Sequence, residues 1–321
     1  MTIRIGDSSI KDIYLGGDRV QSIYLGHTLV YGSGPINPAY NYYVFDTSLV
    51  EGSTTVSLYY YRAGDETEWD GYTDWGDGIV NTEYTHTYAT DGIYTVKTKW
   101  MINYPYHIIS DYTTFAMLTK CLNVNKNITE FRGLFRYCSN LESVNFAINY
   151  VYSANDNMSE MFRLCSSLTN IEMPNFNTFN VTNMNSMFES CYALTNINLS
   201  SFNTSNVTDM GDMFRNCQSL NSLDLSNFNT HSVTNMSYMF YDCRSMPSLN
   251  LSSFNTASVV DMSWMFSLCH SLTSLNISYF DMNNVLNSEY MFQTNGALKL
   301  ENINMANCDS YTRNKIANLL A

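Results

Sequence analysis

The sequence predicts a mixed β/α protein in which a small β-module and a β-sandwich precede a solenoid of parallel strands and short helices. Three observations predict it. Apolar residues recur every 10 positions over residues 1–34, Val-, Thr- and Tyr-rich stretches alternate over residues 35–104, and a 26-residue unit recurs over residues 105–321. A repeat of that length is one supersecondary unit, which buries its apolar side only by stacking on its neighbours.

The N-terminal module, residues 1–34, consists of "IRIG", "IYLG" and "IYLG", which end at Gly6, Gly16 and Gly26. Alternation followed by a glycine turn predicts strand-turn-strand units. About 30 residues bury too little surface to be stable alone. The module therefore packs either on the next domain or on another subunit or assembly, and the linker-like "GSGPINPAY" favours the second. The candidate anchoring residues are Ile13, Tyr14, Leu15, Ile23, Tyr24 and Leu25. The "IYLG" units resemble N-terminal segments of phage tail and fibre proteins.

The second segment, residues 35–104, carries "WGDG" from Trp75, "HTY" from His86 and "YTV" from Tyr94. In this order and spacing they resemble the PKD-type immunoglobulin-like domain, which implies a β-sandwich spacer common in adhesive proteins and implies no catalysis. Asp74 and Asp77 follow other acidic residues and could begin a calcium site, but calcium requires six to eight oxygen ligands. A polar turn is the simpler interpretation, and we predict no metal site.

The third segment, residues 105–321, is predicted to be a leucine-rich-repeat solenoid with a C-terminal cap. "SLNSLDLSNF" has the L-x-x-L-x-L strand signature, and "VTDMGDMF" predicts a short helix with Thr208 as its N-cap. The Met-Phe pairs, the following Cys and the Phe-Asn-Thr triplets resemble the 26-residue, BspA-like form of leucine-rich repeat over residues 134–305. The resemblance implies extracellular adhesion and binding of protein or glycan. The tail after Asn307 predicts a final helix, and Asn295 stands where a Cys is expected.

Eight cysteines occur in the chain, and five of them, from Cys165 to Cys269, are spaced by 26 residues. A disulfide framework rarely has a constant spacing, whereas equivalent buried thiols in stacked coils do. We therefore predict reduced, buried cysteines.

Two sets of outward residues are candidate ligand contacts. The first lies between the last two apolar positions of each predicted strand and could bind sugar hydroxyls or a protein edge, or could form a solvated polar face. Its members are Glu172, Asn198, Asp224, Asn250 and Asn276, preceded by Asn145. The second is aromatic, a residue type favoured in recognition surfaces. Its main members are Tyr238, Tyr241 and Trp264, with Tyr192 and Tyr290 as further varying aromatics.

Composition and motifs exclude several functions. The net charge of −13 disfavours nucleic acid and anionic lipid as partners. The sequence has no apolar stretch of about 18 residues, so it predicts no membrane span. The N-terminus lacks the features of a signal peptide. Catalytic motifs such as G-x-S-x-G and H-E-x-x-H are missing from the sequence. We predict that the protein is not an enzyme and needs no cofactor.

These features together predict a structural protein of a bacteriophage virion, assembled in the host cytoplasm and displayed on tail, fibre or capsid. Residues 1–34 would contact other virion proteins, the repeats would bind a host surface protein or glycan, and a homo-oligomer is compatible with this arrangement. The alternative is a bacterial cell-surface adhesin.

Overall fold

The computed structural model describes residues 14–15, 18–19, 23–25, 28–31, 41–58, 73–83, 85–98, 112–124, 131–146, 152–153 and 156–320. Near the N-terminus, β1 (Tyr14–Leu15) pairs antiparallel with β2 (Asp18–Arg19), and β3 (Ile23–Leu25) with β4 (Thr28–Tyr31). These pairs agree with the predicted strand-turn-strand units. Ile13 lies outside the described residues, and an anchoring role for the other five candidates stays a prediction.

The remaining elements follow in chain order, as β5 (Asn41–Asp46), β6 (Thr55–Ser57), β7 (Thr73–Asp74), β8 (Val80–Asn81), β9 (Thr85–Thr87), β10 (Ile93–Thr98), α1 (Tyr112–Met117), β11 (Leu118–Val124), β12 (Ser143–Phe146), β13 (Tyr152–Ser153), β14 (Asn170–Glu172), β15 (Phe176–Asn177), β16 (Ser248–Asn250), β17 (Ser274–Asn276), β18 (Ile303–Asn304) and α2 (Ser310–Leu320). Two short 3-10 turns cover Thr47–Leu49 and Leu300–Asn302.

One seven-stranded sheet joins the second segment to the repeats. Its order is β14-β12-β11-β5-β10-β7-β8. At its centre, β11 pairs antiparallel with β5 and parallel with β12, so Cys121 lies opposite both Tyr43 and Val144. The second segment therefore covers the open edge of β11, as a solenoid cap does, and its role as a spacer stays a prediction.

The residues of the PKD-like motif form one cluster within this cap. Trp75 is fully buried, and its Nε1–H donates to Asn81 Oδ1 at 2.9 Å. The Tyr88 hydroxyl donates to the Trp75 carbonyl at 2.8 Å, and the His86 ring stacks on Trp75. Asp77 Oδ2 lies 2.7 Å from His86 Nε2, so this carboxylate is paired with the imidazole. Asp65, Glu66, Glu68 and Asp70, the other acidic residues near this loop, lie outside the described part.

The solenoid core consists of side chains that repeat from coil to coil. The Phe rings of consecutive coils stack with centroids 5.4–5.8 Å apart, from Phe135 to Phe292. All eight cysteines are free and buried, as predicted. Each repeat thiol donates to the carbonyl of a Phe in the preceding coil, as Cys217 does to Phe188 at 3.2 Å. The thiols are therefore part of the bonding between coils.

The predicted short helices are wrong. Within residues 156–309, all of which the structure describes, the stretch after each Val-Thr pair is a run of turns. Asp212 and Asn216 have φ values of 57° and 59°, which a right-handed helix excludes. The Phe214 N–H donates to the Met239 carbonyl of the next coil at 3.0 Å, instead of to its own turn. The expected N-cap Thr208 donates its hydroxyl to Thr182 O at 3.1 Å.

The C-terminal helix is confirmed. Helix α2 begins after Asp309, whose Oδ1 accepts the Thr312 N–H at 2.7 Å. It buries Thr312 and Ile316. The Thr312 hydroxyl accepts the Met282 N–H at 3.0 Å, and Lys315 Nζ donates to Val285 O at 2.7 Å. The helix therefore closes the last coil.

Candidate recognition surfaces of the repeats

The strand row comprises Glu172, Asn198, Asp224, Asn250 and Asn276. The first four are exposed and Asn276 is half-buried, as expected for outward positions. Their neighbours along the chain point inward, since Leu199, Leu225 and Leu251 are buried. A ligand-binding role for this row stays a prediction.

Most of the strand row also has a structural role that the sequence pattern does not indicate. Asn198 Oδ1 accepts the N–H of Ser200 at 3.0 Å, and Asp224 Oδ1 accepts that of Ser226 at 2.9 Å. Asn250 and Asn276 make the same bond at 3.2 Å. The bond from the Ser226 N–H lowers the pKa of Asp224. Each side chain thereby fixes an Asx turn at the same position of its coil.

The lateral face is formed by the turn segments and has a charged half and an aromatic half. Its charged half comprises Glu160, Arg163, Glu189, Asp212 and Arg215. Arg163 Nε lies 2.7 Å from Glu189 Oε2, and Arg215 donates to Asp212 at 2.9 Å. Burial opposes the charge of Arg163, but Glu189 and Glu160 outweigh this and raise its pKa. Arg136 Nη1 lies 2.6 Å from Glu160 Oε2 and is the third cation beside the three carboxylates, so this half is charge-compensated within the chain.

The aromatic half comprises Tyr238, Tyr241, Trp264 and Tyr290. Tyr238 and Trp264 stack with centroids 5.8 Å apart and planes at 7°, and Trp264 and Tyr290 lie 4.5 Å apart. The Arg215 guanidinium lies 4.8 Å from the Tyr238 ring centre and 5.3 Å from that of Tyr241. The structure thus brings the three main aromatic candidates together with Tyr290, which is 50% exposed.

Arg215 was missed as a member of this surface. The signal was present in the repeat spacing, because Arg215 precedes Tyr241 by one 26-residue period. Residues in the same column of stacked coils are direct neighbours, so a basic residue in the column of an outward tyrosine predicts a cation–π contact. Tyr192, another varying aromatic, lies in a different column and is 38% exposed.

Two further properties of the described residues bear on other functions. They contain no helix of the length and apolarity that a membrane crossing requires. They also contain no group of three or more His, Cys, Asp or Glu side chains suited to a metal ion.

Comparisons with known proteins agree with the repeat pattern. A family model described as "Mycoplasma protein of unknown function, DUF285" matches residues 115–223, 156–250 and 221–317, which together exceed half of the chain. This match supports the BspA-like repeat resemblance, while the PKD-type and phage resemblances stay predictions. A search of curated proteins gave no match.

A solved structure, "Crystal structure of T. pallidum Leucine Rich Repeat protein (TpLRR)", is 19% identical over 62% of this chain and 88% of that chain, with a TM-score of 0.36. At this level of similarity, the description of the fold rests on the hydrogen bonds and packing given above.

Proposed function

Because the chain belongs to the DUF285 family, whose description assigns no function, we propose from its own surfaces that it is a non-enzymatic recognition protein of the adhesin type. In this proposal the repeats bind a protein on a host surface through the aromatic half of the lateral face. The core ladders form the rod, and specificity comes from outward residues that differ between coils.

The observation that carries the proposal is the backbone conformation of the aromatic residues. Tyr238, Trp264 and Tyr290 have φ values of 57°, 60° and 57°. The same column contains Gly133, Glu160, Ser186 and Asp212 in other coils, also at positive φ. A left-handed conformation costs an L-residue roughly 1–2 kcal/mol, and bulky residues adopt it least often. Folding alone would favour Gly or Asn there, and the three consecutive aromatics are the observation from which we infer a recognition role.

The chemistry of this half fits a protein partner. Tyr, Trp and Arg are the residue types that contribute most to protein–protein binding. The rings stack on one another and Arg215 covers one face of Tyr238, so mainly ring edges and hydroxyls remain for a ligand. Such an arrangement suits side chains of a protein better than sugars, which would require free ring faces.

Two structures are candidates for displaying the protein, a bacterial cell surface and a phage virion. A bacterial cell surface is compatible with membership of a family of mycoplasma proteins. A phage virion is favoured by the "IYLG" units and their paired strands, with residues 1–34 as the anchor. Genomic neighbours decide between them, since capsid and portal genes would indicate a virion and secretion genes a cell surface.

The test of recognition is adhesion of beads carrying the full chain to cells of the natural host. The double variant Tyr238→Ser/Trp264→Ser keeps the backbone, because Ser186 adopts the same conformation in the same column. The matched control is Phe179→Ser, which removes an exposed aromatic from a column where the next coil has Ser205.

We expect the double variant to reduce adhesion at least tenfold, which corresponds to about 1.4 kcal/mol. The control should adhere like the natural chain. Equal adhesion of all three proteins, each with an unchanged circular dichroism spectrum, would refute the role of the aromatic half.

A further inference from the structure

The ladder of repeat strands opens in the middle of the solenoid. Strand β12 pairs with β14 before the opening, and β16, β17 and β18 pair after it. Residues 196–198 and 222–224 hold the equivalent positions, yet they pair with no strand in this fully described stretch. Leu251 donates its N–H to Asn276 O at 2.8 Å, whereas its equivalent Leu225 donates no backbone hydrogen bond there.

Pro247 accounts for one lost connection, the one on the β16 side of the opening. In neighbouring coils, the N–H of Asn221 donates to Thr195 O at 3.0 Å, and that of Thr273 donates to Pro247 O at 2.9 Å. Pro247 occupies the equivalent position between them but has no N–H to donate to Asn221 O. The connection between these coils is therefore lost immediately before β16.

The opening produces a hollow on the strand side of the repeats. Leu249 and Leu275 are 4% and 1% exposed, whereas their equivalent Leu223 is only partly buried. Leu223 and Ile197 contribute the apolar part of the hollow, whose volume is about 410 Å³. This volume lies within the range of small-molecule sites, roughly 300–1,000 Å³. The polar lining residues include Asn196, Ser222, Asp224, Ser226, Asn250 and Ser252.

We propose that this hollow binds an uncharged saccharide, independently of the lateral face. Hydroxyl groups donate and accept hydrogen bonds, and so do Ser222 and Ser252, whose hydroxyls have no partner in this described part of the chain. The Asn250 carbonyl oxygen accepts the Ser252 N–H, which leaves the amide NH₂ for a ligand. Leu223 offers an apolar surface to the C–H groups of a sugar ring.

The charges around the hollow exclude anionic ligands. No Lys or Arg lines it, Asp224 contributes a carboxylate, and the chain has a net charge of −13. A sialylated or sulfated sugar would meet repulsion without compensation. An extended peptide is the competing occupant, because the unpaired backbone could accept an added strand.

The experiment is isothermal titration of the full chain with three probes. The first is a set of neutral tetrasaccharides of glucose, galactose, mannose and N-acetylglucosamine. The second is a sialylated trisaccharide, and the third is a Thr/Val-rich octapeptide. Ser222→Gln fills the hollow, and Ser274→Gln is the matched control, because both serines are exposed at equivalent positions and only Ser222 lines the hollow. Pro247→Thr restores the missing N–H, as Thr273 has it in the next coil.

We expect millimolar or tighter binding of a neutral tetrasaccharide to the natural chain and to Ser274→Gln, and at least tenfold weaker binding to Ser222→Gln and Pro247→Thr. If Ser222→Gln does not fold, Pro247→Thr decides. Equal binding by all variants would overturn the proposal, and so would binding of the sialylated sugar or the peptide in preference to every neutral sugar. Bead adhesion through the aromatic half would be unaffected by either outcome, so the two proposals fail separately.

Discussion

The stability of the repeats should depend strongly on one buried hydroxyl in each coil. In the Phe-Asn-Thr triplets the Thr is fully buried or nearly so, as at Thr204 and Thr230. Thr230 Oγ1 donates to Asn255 O at 2.9 Å and accepts the Asn255 N–H at 2.9 Å. One hydroxyl thus satisfies both backbone groups of a residue in the next coil.

The perturbation is Thr230→Val, which keeps the shape of the side chain and removes both bonds. Each neutral hydrogen bond contributes about 1 kcal/mol, and a buried group left without a partner adds a cost of about 1–3 kcal/mol. We expect the free energy of unfolding to fall by about 2–4 kcal/mol. The control is Thr234→Val, since the exposed Thr234 hydroxyl donates only to Thr208 O, which also accepts the Thr234 N–H. It should lose less than about 1 kcal/mol.

The measurement is urea denaturation at 25 °C, followed by circular dichroism and by tryptophan fluorescence. Equal slopes in the two variants would show that only stability has changed. A Thr230→Val loss no larger than that of Thr234→Val would refute the claim that these hydroxyls join the coils.

Three further predictions follow from other parts of the chain. Asn295→Cys should raise the free energy of unfolding by about 1–3 kcal/mol in the same denaturation assay. Both amide atoms of the buried Asn295 lack a partner, whereas Cys269 at the equivalent position donates to Phe240 O. An unchanged or lower free energy of unfolding would contradict this prediction. Burial raises the pKa of Cys217 from 9.0 to about 12, so the folded chain keeps the thiol protonated while the unfolded chain ionises it near pH 9. The free energy of unfolding should therefore be unaffected below pH 8 and fall as pH rises from 9 towards 12. A Cys217→Val variant with the same pH dependence as the natural chain would contradict this cause. Removing residues 1–39 should leave a folded monomer by size-exclusion chromatography. Removing residues 1–104 takes away β5 and exposes the edge of β11, so this shorter chain should aggregate. A soluble monomer from the shorter chain would show that the cap is dispensable.

The core of the solenoid could be predicted from the sequence because its physical cause is the spacing itself. Equivalent apolar residues 26 positions apart must stack, so Cys217 and Phe214 were assigned to the core correctly. The helices could not be predicted correctly from the same stretch. The period-3.6 pattern of Met210, Met213 and Phe214 is matched equally well by a turn with two left-handed residues. Local propensity does not distinguish the two, because the hydrogen bonds go to the next coil.

The sequence predicts which outward residues form the columns of the recognition surfaces, but it does not predict their hydrogen bonds or backbone conformation. The sequence shows which residues vary outward, yet it does not show that Asn198 and Asp224 fix turns or that Trp264 has a positive φ. The opening of the strand ladder ends next to the N–H that Pro247 lacks, and this effect appears only when the coils are stacked. The shared sheet of β5 and β11 is a long-range pairing that no local pattern indicates.

The turn segments connect each coil to the next by backbone hydrogen bonds, such as Phe214 N–H to Met239 O and Phe240 N–H to Met265 O. A pull on the two ends of the chain would therefore load the interfaces between coils in series. The weakest interface should yield first, while the others stay intact. One detached coil releases 26 residues, which is about 90 Å of extended chain. A chain held at both ends under flow would therefore lengthen in steps of that size before its contact with the partner breaks. Single-molecule stretching would show these steps, and one all-or-none release would contradict them.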